Sequence, residues 1–115
     1  MIKTYVDANT LIAAFRGDHP AADEALGLLG DSSRTFVASA YLRLETLRKP
    51  LFYRRENEIA FMERYFSAVS LWVPTSDTLV EQALQLAAQL ENTSPANLID
   101  TTCLFFDPGI RPAWV

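Results

Sequence analysis

Short β-type runs alternate with helix-length apolar patterns along most of this chain, and few architectures accommodate that order. Ile2 to Val6 is a β-type run that ends at an acid, Asp7. Thr10 to Phe15 then reads as a helix closed by Gly17. Pro20 sits well in the first turn of a second helix, whose apolar positions run to Gly30. Asp31, Ser32 and Ser33 are turn residues, and Thr35 to Ala38 is a second strand. Ser39 is placed to cap a third helix, which Pro50 is expected to kink or end. Glu58 to Ala68 gives a fourth helix and Ser70 to Val73 a third strand. Ser76 then caps a helix with Leu79, Val80, Ala83, Leu84, Leu86, Ala87 and Leu90 at spacings of three and four. Strands alternating with helices of this length imply βα units on a parallel sheet covered on both faces. Such sheets present functional groups at the carboxyl ends of their strands, where Asp7 falls.

Composition narrows the chemistry further. The 115 residues suffice for a single domain, and half of them are hydrophobic, enough to offset the entropy of ordering. No apolar run approaches the roughly 18 to 20 residues of a bilayer span. Asp7 interrupts the stretch that a signal-peptide core would occupy, so a cytoplasmic location is expected. Cys103 is the only cysteine and His19 the only histidine, which excludes an internal disulfide, thiolate clusters and multi-histidine zinc sites. Metal chemistry would therefore rest on carboxylates, which select hard ions such as Mg²⁺ or Mn²⁺. The net charge is −4, yet Arg43, Arg48, Lys49, Arg54 and Arg55 crowd into thirteen positions. One positive face on an acidic protein is compatible with a phosphate backbone, though charge alone fits a solvated helix surface better.

Three acids stand out. Asp7 either caps the helix that follows or faces its amides as part of a site for a cation and a phosphate. Glu45 lies between Leu44 and Leu47, with Arg48 and Lys49 in reach one turn later. Local pairs of that kind contribute only tenths of a kcal/mol, whereas an acid on an apolar seam costs several unless paired, protonated or metal-bound. Asp100 follows Asn97 by three positions, which places both on one face of a helix. Asp107, beside Pro108 and Gly109, reads as a turn residue. If Asp7, Glu45 and Asp100 converge, a divalent cation makes the cluster tolerable.

The segments YVDANTLIAAFRGD, ASAYLRLETLRKPLFYRR and SPANLIDTTC, in that order, resemble the PIN domain, in particular small prokaryotic PIN proteins of the VapC-like toxin type and their cyanobacterial relatives. The resemblance covers about positions 2 to 100. It implies a single domain over residues 1–115 with a three-layer α/β/α fold on a short central parallel sheet. It also implies an Mg²⁺- or Mn²⁺-dependent endoribonuclease that hydrolyses RNA phosphodiesters. Asp7 matches the family's first acid and Glu45 its second, while Asn9 or Thr10 matches the small polar position that helps to orient the first. Strict alignment puts Asn97 where the third acid stands, and a shift of three residues puts Asp100 there. Asp7, Glu45 and Asp100 are the expected catalytic residues, with Asn97 a further metal ligand. Asn9, Thr10, Arg43, Arg48 and Lys49 are the expected substrate contacts. Implied partners are RNA, a cognate antitoxin and a second copy of the chain in a homodimer, with no membrane.

Past Asp100 the match fails. Residues 101–115 form a divergent tail broken by two prolines and a glycine, so the family's C-terminal strand and fourth acid are expected to be missing. A C-terminus truncated or altered by a change of reading frame is the corresponding expectation. Two other classes remain open at this point. One is a catalytically impaired PIN module that works through protein association, by antitoxin binding or dimerisation. The other is a haloacid-dehalogenase-type phosphatase, echoed by Asp7-Ala8-Asn9-Thr10 but with Asn9 in place of that family's second Asp. A receiver domain fits less well, since no acidic pair accompanies Asp7.

Overall fold

The structure is a computed structural model that describes residues 1–18, 20–74, 76–89 and 109–113. In chain order the elements are β1 (Ile2–Val6), α1 (Ala8–Arg16), α2 (Ala22–Leu29), β2 (Arg34–Ser39), α3 (Ala40–Phe52), α4 (Glu56–Ser67), β3 (Leu71–Val73), α5 (Asp77–Ala87) and β4 (Ile110–Ala113). The four strands form one parallel sheet in the order β3-β2-β1-β4. Tyr5 stands opposite Val37 on one side and Pro112 on the other.

Local chemistry explains most boundaries. The Asp7 carboxylate accepts from the Thr10 amide and so caps α1, which stops at Gly17 in the left-handed conformation (φ 72°) that glycine adopts at no steric cost. Ser39 and Ser76 cap α3 and α5 by accepting from the amides of Leu42 and Leu79. Pro50 does not end α3. The helix continues through Phe52 with Pro50 buried in its last turn, and the chain turns at Arg54, a non-glycine residue with φ 53°. Proline has no amide to donate to the Thr46 carbonyl four residues back, which weakens that turn without stopping the helix.

Crossovers between parallel strands are almost always right-handed. With the strand order β3-β2-β1-β4, the steps from β1 to β2 to β3 therefore place α1–α4 on one face of the sheet, and the return past β1 to β4 places α5 on the other. This is the expected three-layer arrangement. The core between the layers is built on Tyr5, Val6, Leu11, Val37, Leu42, Met62, Phe66, Val73 and Leu79.

The expected loss of the C-terminal strand is corrected by β4. It pairs in parallel with β1 over Lys3–Val6, and Ile110 is buried in the core. Pro112, the residue that argued against a strand, stands on the edge of the described sheet, where a missing amide donor is tolerated. Among the described residues, no helix is long and apolar enough to cross a membrane.

Candidate active site

The sheet order reverses between β1 and β4, because the connections from β1 lead one way and the final strand returns to its other side. Parallel sheets bind ligands at the carboxyl ends of strands beside such a reversal, where diverging loops leave a crevice. Asp7 occupies that position. Its backbone amide donates to the Ala113 carbonyl at the end of β4 (3.3 Å). Its Oδ1 accepts from the Thr10 amide at 3.0 Å and from the Thr10 hydroxyl as well. Thr10 is fully buried, so the group that fixes Asp7 is itself held by packing. The carboxylate is half-buried and its rotamer is set from two directions.

Glu45 belongs to the next βα unit. Ser39 ends β2 level with the end of β1, and its Oγ lies 3.1 Å from the Tyr5 hydroxyl, which ties the two strand ends together. From Ser39 the chain enters α3, which packs against α1. Glu45 lies in the second turn of α3, half-buried, with Oε1 sheltered from solvent. It lines a cleft of about 660 Å³ between α1, α3 and the start of α4. Ile12, Phe15, Thr46 and Pro50 give the cleft apolar walls, and Arg16, Arg48, Lys49 and Arg55 give it four cations against Glu45 and Glu58. Ile12, Phe15 and Arg16 bring α1, the helix that Asp7 caps, into the wall of this cleft; Asp7 itself is not among the lining residues.

Each sequence-derived candidate can now be placed. Arg48 and Lys49 line the cleft with Glu45. Arg43 points elsewhere on α3 and pairs with Glu63 of α4 at 2.7 Å. Asn9 is exposed in the first turn of α1, whereas Thr10 faces inward onto Asp7. Asp100 and Asn97 lie outside the described residues, as do Cys103 and Asp107. Arg16 and Phe15 were not singled out by sequence; the signal for them was their place two turns down the helix that Asp7 caps.

Asp7, Glu45 and the Thr10 hydroxyl are hard oxygen donors, the chemistry that suits Mg²⁺ or Mn²⁺. Among the described residues no group of three or more acidic, histidine or cysteine side chains gathers in one place. An ion held by Asp7 and Glu45 would therefore draw a further ligand from Asp100 or Asn97, or from water.

No protein-family model and no curated protein matches the sequence. Solved structures do match in fold. VapC20 of Mycobacterium tuberculosis, described as a sarcin-ricin-loop-cleaving toxin, superposes with a TM-score of 0.74 at 18% identity, covering 93% of this chain and 84% of that one. VapBC2 from Rickettsia felis, solved bound to a DNA fragment from its promoter, superposes with a TM-score of 0.66 at 14% identity, covering 89% of this chain and 80% of that one. The fold of this chain is thus similar to that of these two VapC toxin structures: a parallel α/β sheet with helices packed on it.

Proposed function

We propose that the protein is an Mg²⁺- or Mn²⁺-dependent endoribonuclease of the PIN/VapC-like type. The observation that carries this reading is the position of Asp7: a carboxylate at the sheet's reversal point, held by Thr10, capping the helix whose later turns line a cation-rich cleft that contains Glu45. The likeness in fold to a toxin described as cleaving the sarcin-ricin loop supports an RNA substrate.

In this reading Asp7 and Glu45 hold the ion together with Asp100 or Asn97. Once bound, the ion would lower the pKa of an attacking water and offset charge on the scissile phosphate. The chain's own residues do the rest. Thr10 keeps the Asp7 carboxylate aimed at the site, and the apolar walls formed by Ile12 and Phe15 restrict water. Arg48 and Lys49 neutralise the phosphates on either side, so RNA affinity falls as salt rises. A cognate antitoxin, a homodimeric state and a cytoplasmic location belong to the same proposal.

The test is cleavage of a fluorogenic RNA in Mn²⁺ by the wild type, Asp7→Asn and Glu45→Gln. Asparagine caps a helix about as well as aspartate, so the first change leaves α1 intact. Activity is expected to fall by about 100-fold or more in each variant, at or beyond what loss of a supporting partner of a metal ligand costs. Full activity in either folded variant overturns the reading. Asn97, a neutral residue where strict alignment puts the third acid, favours a second reading, a non-catalytic module that acts through protein association. That reading predicts no cleavage by the wild type at any metal concentration.

A further inference from the structure

The turn between α3 and α4 carries a feature that the catalytic reading leaves unused. Leu51, Phe52 and Tyr53 are exposed in succession, Phe52 to 79%, more than any other large apolar side chain of the described residues except Met1. Exposing that much apolar area at a helix end stabilises nothing in the monomer. The two rings are not splayed at random: Phe52 and Tyr53 pack edge to face with centroids 4.9 Å apart. The Arg55 guanidinium sits 4.9 Å from the centroid of the Tyr53 ring. Arg55 is also a wall of the cleft that contains Glu45, so the aromatic pair and the cleft form one continuous surface.

Charge distinguishes between possible occupants. From Arg43 to Arg55 the chain has five cations and one acid, Glu45, within a protein whose net charge is −4. Arg48, Lys49 and Arg54 enter no ion pair among the described residues. A second copy of this acidic chain would gain little from such a corner except at an equally localised acidic patch. A polyanion with flat apolar faces fits both properties at once: cations track its phosphates while exposed rings stack on its bases.

We propose that the α3–α4 corner extends the RNA contact beyond the cleft: Phe52 takes the face of an unpaired base and Arg54 holds a neighbouring phosphate. Tyr53 and Arg55 brace Phe52 from behind. This rests on the ribonuclease reading above, and its consequence is that strand length and an unpaired base next to the cut, rather than the acids alone, set affinity.

Binding of a labelled single-stranded oligoribonucleotide by the full chain in EDTA, read by fluorescence anisotropy, separates the two ideas because no cleavage occurs. Stacking of one base on an aromatic ring corresponds to roughly a 5- to 140-fold change in dissociation constant. Phe52→Ala and Phe52→Leu are expected to weaken binding within that range, Phe52→Trp to preserve it, and an abasic strand to bind wild type and Phe52→Ala alike. Unchanged affinity in Phe52→Ala, with cleavage by the wild type intact, overturns the corner site and leaves the ribonuclease reading standing. A wild type that neither binds nor cleaves the strand removes both. Loss of self-association or of anionic-vesicle binding in Phe52→Ala, without loss of RNA binding, assigns the corner to a protein or a membrane and overturns the proposal. Phe52 lies at the surface, so these variants keep the fold.

Discussion

Tyr65 packs its ring against Phe36 and Phe66, with centroids 5.6 and 5.3 Å away, and its hydroxyl is buried with no hydrogen-bond partner among the described residues. Burial disfavours the phenolate and holds the hydroxyl above the usual tyrosine range. The folded state thus retains a proton that the unfolded chain releases near pH 10, so this contribution to stability is whole below that pH and is lost as pH rises beyond it. Tyr65→Phe removes a donor that lacks an acceptor, and is expected to change stability at pH 7 by about 0 to +1 kcal/mol. It should also flatten the alkaline decline in Tm between pH 9.5 and 11 (roughly the window set by the unfolded tyrosine). A loss of more than about 1 kcal/mol at pH 7 in urea melts would show that the hydroxyl is satisfied after all. Residues of this kind are not legible in a sequence, because the alternation of apolar and polar positions marks Tyr65 as inward-facing but says nothing of what its oxygen meets. The cap formed by Asp7 was legible for the opposite reason: both Thr10 contacts lie within one helical turn.

Caps and turns govern the elements, and most of them are written in single residues. Ser39, Ser76 and Gly17 mark the helix ends where local hydrogen bonding predicts them, since a cap depends on three or four neighbouring positions. Ser39 has a second duty. Its Oγ meets the Tyr5 hydroxyl across two strands as well as the Leu42 amide, and both groups are buried. Ser39→Ala is therefore expected to cost about 2 kcal/mol, at the upper end of cap losses, and Ser76→Ala about 1 kcal/mol. Equal losses in denaturant titrations would mean that the Tyr5 contact contributes nothing. Pro50, expected to kink or end α3, lies two residues before the helix end, where its ring is buried. Where the decisive partner is distant, sequence reading failed. β4 was missed because Pro108, Gly109 and Pro112 look like breakers until the strand's position at an edge is known.

Across the whole molecule, alternation of strands and helices was enough to give a parallel sheet with helices on both faces. Whether the acids gather around one ion is a separate matter, because three-dimensional convergence depends on loops that no period encodes, and Asn97 and Asp100 lie outside the described residues. A metal titration examines that convergence directly. Mn²⁺ at a hundred times its dissociation constant should stabilise the wild type by about 2.7 kcal/mol, reversed by EDTA and absent in Asp7→Asn and Glu45→Gln. No movement of Tm at millimolar Mn²⁺ would favour the association module.

The pairing of β4 with β1 joins residues more than a hundred positions apart, Lys3 with Ile110 and Val6 with Ala113. During synthesis from the N-terminus, β1 can find β2 early but must wait for almost the entire chain before its other side is covered. Contacts of such long range are slow to form, and an uncovered strand invites pairing with a neighbour. The same Ala113 carbonyl that closes the sheet also fixes the backbone of Asp7. A nascent chain on the ribosome therefore lacks this anchor for the Asp7 backbone until β4 has emerged and paired.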